Sequence, residues 1–199
     1  QYVTVAVQEV ETIDYVGIAR HNLGSAGIAV SVEAHSEPES ETPTWVEIVE
    51  PFMPADDAPL ILRFPLASYA ALRLKLAAGN AAPRAAVIYA GQLLIMPRRL
   101  YVGHTPLPMG RNTRVATGIS ESGNYLGRIV TSSDRSSEAP FLHLPPDWYR
   151  EHFEPFAKAA IERPFFWAWR PQAYPTECGY AWLTGDPVPS NQLSNGMMQ

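Results

Sequence analysis

Between Ile28 and Glu33 the chain alternates: Ile28, Val30 and Val32 fall on one face of an extended segment, and Ala29, Ser31 and Glu33 on the other. The run Tyr69 to Leu76 repeats the pattern, with Leu72, Leu74 and Leu76 together and Arg73 and Lys75 opposite. Both read as half-buried antiparallel strands. Further candidate strands are Val3 to Val7, Ile13 to Ala19, Ile28 to Ala34, Trp45 to Val49, Leu60 to Phe64, Ala70 to Leu76, Ala85 to Tyr89 and Leu93 to Met96. Nineteen prolines and thirteen glycines cut the chain into these short runs, which is the punctuation of an all-β protein.

From Pro97 to Arg114 the pattern breaks up among Pro97, Pro106, Pro108 and Gly110, and this stretch reads as a connection between two units. Beyond it, two extended runs are joined around Glu121-Ser122-Gly123-Asn124, whose residue types suit a tight turn. Pro146 to Glu162 is the helical region: Tyr149, Phe153, Phe156, Ala157, Ala160 and Ile161 fall near helical spacing. Pro155 must start a second helix or kink the first, with Glu154 a candidate cap. Two aromatic-rich strands follow, separated by a turn from Pro171 to Pro175. Met197-Met198-Gln199 reads as the beginning of a strand that this chain does not complete. The fold expected is mainly β, with a sandwich over residues 1–97 and a smaller β-rich unit over 98–199 that contains the one helical segment near 146–162.

Composition narrows the function. With 199 residues, 46% of them hydrophobic and 18% charged, the chain can bury a core without disulfides. A net charge of -5, with Lys75 and Lys158 the only lysines and the arginines dispersed, excludes nucleic acid as the main partner. Arg63, Arg73, Arg84, Arg98, Arg99, Arg111 and Arg114 suit pairing at surfaces and between units. No apolar run is long enough to span a bilayer, so no membrane insertion is expected. The chain opens on Gln1 within a strand-like run and without an initiator methionine, as a processed N-terminus would. Cys178, alone between apolar neighbours, reads as a buried thiol.

Candidate chemistry is sparse. Phosphate-binding glycine loops, the Rossmann fingerprint, the zinc-protease helix and the nucleophile elbow are all absent from the sequence. His21, His35, His104, His143 and His152 show no short metal-binding spacing, so no metal, no cofactor and no catalytic residue is expected. Glu121, Asp134, Asp147, Glu151 and Glu177 could supply a carboxylate pair for glycoside hydrolysis, but a solvated face explains each as well. The acidic stretch Ser36 to Thr42 likewise reads as an exposed connection. Two groups are candidate contact residues for a ligand or partner. One is the loop Arg20, His21 and Asn22, where hydrogen bonding within the loop outweighs catalysis. The other is the aromatic set Trp167, Trp169, Tyr174 and Trp182, where a core or subunit interface outweighs a sugar-stacking platform.

The stretch Ile13 to His35 followed by Trp45, together with "LRFPLASYAALRLKL", resembles the discoidin-type, galactose-binding-like jelly roll. That family's calcium loop and ligand-binding loop tips have no counterpart here. The remainder, from "ESGNYLGRIV" through the helix to "PFFWAWRPQAYP" and "GYAWL", is similar to tail-tip and baseplate proteins of tailed bacteriophages. The resemblance implies a non-enzymatic structural component of the virion. Its partners would be other tail proteins and copies of itself, with host surface glycan as a further contact. A free carbohydrate-binding module is the alternative, and a glycan-cleaving enzyme a more distant one.

Overall fold

The computed structural model describes residues 1–37, 40, 42–100, 103–174, 176–192 and 196–199. Five strands, β1 (Tyr2–His21), β2 (Val30–His35), β3 (Val46–Phe52), β4 (Leu60–Leu76) and β5 (Ala85–Gly91), form one antiparallel sheet in the order β3-β2-β4-β1-β5. A 3₁₀ turn, Leu107–Met109, leads into a hairpin of β6 (Arg111–Ile119) and β7 (Tyr125–Arg135). Then come α1 (Pro146–Trp148), a π-helical turn (Tyr149–Phe153) and α2 (Glu154–Glu162). A ribbon of β8 (Phe165–Ala168) and β9 (Cys178–Ala181) follows, and β10 (Asn191–Gln192) pairs with β11 (Met197–Met198). The chain is thus mainly β with one helical segment, as its residue pattern implies.

The two longest strands each merge two of the runs expected from sequence. β1 pairs with β4 from Tyr2↔Lys75 to Ile18↔Leu60, with register shifts between Ala6 and Glu11 and between Ile13 and Tyr15. The second shift falls where Arg63 and Ala67 flank Pro65. Proline has no N–H to give to a ladder, and a bulge is where a strand tolerates it. β2 pairs only with the C-terminal half of β4, and β5 only with the C-terminal half of β1. The sheet therefore has two halves. Val16, Ile18, Leu60 and Leu62 from one half and Val30, Val32, Leu72 and Leu74 from the other belong to a single buried cluster. The halves close on each other across that core, so the sandwich-like layers come from one bent sheet rather than from two separate ones.

The C-terminal half of β4 is half-buried as expected: Leu72, Leu74 and Leu76 are buried, Arg73 is half-buried and Lys75 exposed. β2 is not: Ile28, Val30 and Val32 are fully buried, but Ser31 and Glu33 on its other face are buried too, at 2% and 7%, since β2 lies inside the sheet between β3 and β4. On the outer face, Glu33 lies opposite Arg73 in the β2–β4 register, and its carboxylate binds Arg73 at 2.5 Å and Lys75 at 3.1 Å. The Arg73 guanidinium is held between the rings of Tyr2 and Trp45, at 4.4 and 4.2 Å from their centroids. Burial pushes the Glu33 carboxyl up, but the two cations outweigh it and hold the group below the usual carboxylate range.

The strand expected over Leu93 to Met96 does not form. The segment runs as an irregular strap, tied down where the buried Asp14 carboxylate, opposite the bulged residues of β4, accepts the Leu93 N–H at 2.8 Å. The helical region begins and ends where expected. Its π-helical turn lets the Glu154 N–H reach the Tyr149 carbonyl, so that α2 restarts just before Pro155. Glu154 does not cap that start; it pairs with Lys158 at 3.2 Å. Met197 and Met198 pair with Gln192 and Asn191, completing a small ladder within the chain. Of the turn from Pro171 to Pro175, Pro175 lies outside the described residues, as do parts of the acidic stretch Ser36 to Thr42.

The ribbon lies on the outer face of the β1–β5 half. Phe166 packs where Gly17 leaves no side chain: a Cβ on Gly17 would sit 2.6 Å from the Phe166 ring. Tyr89 of β5 meets Phe166 edge-on at 5.5 Å between centroids and shares a 3.2 Å hydroxyl contact with Tyr180. Gly17→Val should therefore destabilise the fold by about 1–3 kcal/mol through overpacking. In a Phe166→Ala background the same substitution should cost clearly less, as read by urea unfolding of the four chains of the cycle. An equal cost in both backgrounds would refute this seating of the ribbon.

Candidate functional site

Three places gather the residues singled out from the sequence: the loop after β1, the aromatic ribbon with its cavity, and the β6–β7 hairpin. In the loop, Arg20 is exposed and takes a left-handed φ of 53°. His21 is buried, and both ring nitrogens are engaged. Nδ1 accepts the Leu23 N–H at 3.2 Å, and Nε2 donates to the Ala58 carbonyl at 2.8 Å. This is the neutral tautomer in use as a latch. Asn22 donates to the Ala82 carbonyl at 3.0 Å and accepts the Arg84 N–H at 2.7 Å. Leu23 and Ala26, between these polar anchors, are core residues. Gly24 is required because the Asp56 backbone passes where its Cβ would be, at 2.3 Å. His21 and Asn22 therefore spend their hydrogen-bonding groups on knitting three loops together, which leaves Arg20 as the member of this group with a free approach from outside.

The ribbon splits the aromatic set. Trp167 packs edge-on to Phe141 and to His104, at 6.2 and 6.0 Å between centroids. Trp169 stacks parallel to Tyr174 at 6.3 Å, with the Arg170 guanidinium over both rings, and its indole N–H donates to Glu177 at 2.5 Å. Trp182, just past β9, is 63% exposed. Between the ribbon and the strap lies an open cavity of about 580 Å³. Phe166, Trp167 and Leu93 give it an apolar wall, and Arg63, Arg98, Arg99 and Arg170 line it with positive charge. Arg63 also faces the Asp14 carboxylate at 3.8 Å, while its buried Nε has no hydrogen-bond partner among the described residues. Flat rings beside guanidinium groups can hold a planar or anionic ligand. The role of Arg63 is invisible in the sequence, where it is one dispersed arginine among many.

The carboxylates considered for hydrolysis are carried on separate elements. Glu121 is in the hairpin turn, Asp134 at the base of β7, Asp147 and Glu151 on the helical segment, and Glu177 against Trp169. Among the described residues no group of three or more His, Cys, Asp or Glu side chains converges as a metal site, and no helix is long and apolar enough to cross a membrane. Cys178 is buried as expected, and burial pushes its thiol pKa up to about 12, so it is not a nucleophile in the folded chain.

The hairpin was legible as two runs and a turn, but not as a site. Its turn is tight: the Ser120 carbonyl accepts the Gly123 N–H at 2.9 Å, and Gly123 takes a φ of +83°. Its base is fixed by the Ser136 N–H on the Gly110 carbonyl at 2.9 Å. Along both strands the side chains stand in solvent, including Ile119 at 65%, Tyr125 at 66% and Ile129 at 67% exposed. The register puts Val115 beside Val130 and Ile119 beside Tyr125 on one face, with Thr117 and Arg128 between the two pairs, and Ala116 beside Ile129 on the other, so exposed apolar pairs lie on both faces of the hairpin.

Burial holds the His21 pKa below its usual value near 6.5, against the smaller upward pull of the Ala58 carbonyl and of Asp57 and Asp56. Because the unfolded chain takes up the proton first, the latch contributes fully above that pH and is lost as pH falls through and below it. His21→Ala should cost about 1–3 kcal/mol at pH 8, since it leaves the Leu23 N–H and Ala58 carbonyl unpaired. The gap between variant and natural chain should narrow from pH 8 to pH 5 in urea unfolding; a gap independent of pH would contradict the neutral latch. Comparison of the chain with protein-family models, with curated proteins and with solved structures finds no match.

Proposed function

We propose that this chain is a non-enzymatic structural component of a phage tail tip or baseplate, which assembles with copies of itself and with other virion proteins. The observation that carries the assembly reading is the β6–β7 hairpin, whose apolar side chains are exposed on a two-stranded ribbon. A lone hairpin of this kind is marginal in water and needs a further strand or a packing layer to be stable. Exposed apolar patches rimmed by polar groups mark protein interfaces. The placement in a tail rests on the resemblance of the C-terminal half to tail-tip proteins.

A carbohydrate-binding module is the second reading, favoured by the cavity beside Trp167 and its four arginines. Such a site suits an acidic glycan, with guanidinium groups on the carboxylate and a ring face on an aromatic wall.

Mass measurement by light scattering, with electron microscopy of the same sample, separates the two readings. The full chain should form closed rings or discrete oligomers. A chain in which residues 111–135 are replaced by a short Gly-Ser linker should keep its unfolding midpoint within a few degrees and become monomeric. A full chain that stays monomeric and binds acidic glycans, with binding lost on Arg63→Ala, would favour the carbohydrate module instead.

A further inference from the structure

We infer that the hairpin of one copy docks on the β3 edge of the next, with β6 adding to the five-stranded sheet as a sixth, antiparallel strand. This rests on the reading of the chain as a self-assembling structural protein and specifies the surfaces that join. The first argument is charge. Residues 111–135 carry four arginines against Glu121 and Asp134, whereas residues 1–57 carry, besides the buried and paired Asp14 and Glu33, nine further carboxylates against Arg20 alone. The hairpin is thus a basic arm on a chain whose N-terminal part is strongly acidic, and unlike surfaces of one molecule attract each other between copies.

The second argument is the open edge. β3 ends the sheet on one side, and among the described residues no strand pairs with its outer edge, which is the kind of edge that accepts another strand. Val46, Glu47 and Glu50 on it are exposed, with Val46 at 58%. Pro51 lacks an N–H and closes the usable stretch, leaving Val46 to Glu50. At the opposite edge, β5 carries no charged side chain over Ala85–Gly91, and its Tyr89 is already engaged by the ribbon. The charge on the arm therefore selects β3.

The third argument is register. Arg111 and Arg114 are three residues apart on β6, as are Glu47 and Glu50 on β3. Antiparallel pairing that sets Arg111 opposite Glu50 also sets Arg114 opposite Glu47 and brings Val115 to Val46. Unlike charges then meet on both faces of the joint sheet and an apolar pair follows them. Each copy gives an arm and receives one, so the contact is head-to-tail and builds a ring if its rotation closes.

Light scattering across a concentration series on full-length variants tests this. Arg111→Glu with Arg114→Glu should weaken self-association roughly tenfold or more, and so should Glu47→Arg with Glu50→Arg. The chain carrying all four reversals should recover the natural assembly. All four side chains are exposed, so circular dichroism should be unchanged. Val46→Cys with Val115→Cys should give a ladder of covalent oligomers on oxidation, with buried Cys178 taking no part. If the quadruple variant associates as weakly as either pair, or the cysteines fail to cross-link in an assembled sample, docking on β3 is overturned while self-assembly stands. A natural chain that is monomeric at every concentration overturns both.

Discussion

The pairing of β1 with β4 is the constraint on which the rest of the fold depends. These strands run through both halves of the sheet, and every other strand of the sheet attaches to one of them or to a strand that does. Because β2 joins the far half of β4 and β5 the far half of β1, one ladder has to serve two layers. The bulge of β4 over Phe64, Pro65 and Leu66 is where regular pairing is interrupted near the cavity. On β1 the residue facing it is Asp14, whose carboxylate binds the Leu93 N–H and faces Arg63. A bulge bends a strand and re-aims its side chains. Here the same irregularity accommodates Pro65, anchors the strap and positions an arginine at the cavity.

Around that ladder, polar groups are used as fasteners. His21 and Asn22 lock the loop after β1 to the segments around Ala58 and Ala82–Arg84. Glu33 ties β2 to β4 through Arg73 and Lys75. The ribbon is fastened by shape instead, with Phe166 over Gly17 and Tyr89 against Tyr180. Against this economy the hairpin stands out. It has a tight turn and a regular ladder, yet Ile119, Tyr125, Ile129 and Val130 face water. Among the described residues nothing covers these side chains, and exposed apolar patches of this kind are the physical ground of the proposal of assembly.

Local pattern was enough for the parts of the fold that local physics decides. Period-two alternation located β2 and the C-terminal half of β4, turn chemistry located the β6–β7 turn, and helical spacing located residues 146–162. What sequence could not give is set by distant partners. That Val3 to Val7 and Ile13 to Ala19 are one strand depends on β4 lying beside both. That Leu93 to Met96 is not a strand depends on Asp14 capturing its backbone rather than a neighbouring ladder. The same divide holds for the site. His21 is a candidate contact residue because residue type is visible in a sequence, whereas the Leu23 N–H and Ala58 carbonyl that occupy it are visible only in three dimensions. Exposure is likewise a property of the whole fold, so the hairpin read as an ordinary pair of strands.

Amide hydrogen exchange over residues 111–135 and 46–50, followed as chain concentration is raised, tests most directly whether the hairpin is completed by another copy. A free hairpin exchanges through frequent opening, whereas one held in a larger sheet is protected. The account predicts that protection of both segments rises together with concentration, while the β1–β4 core stays protected throughout. Rapid exchange of the hairpin at every concentration, in a sample that remains monomeric, would contradict it.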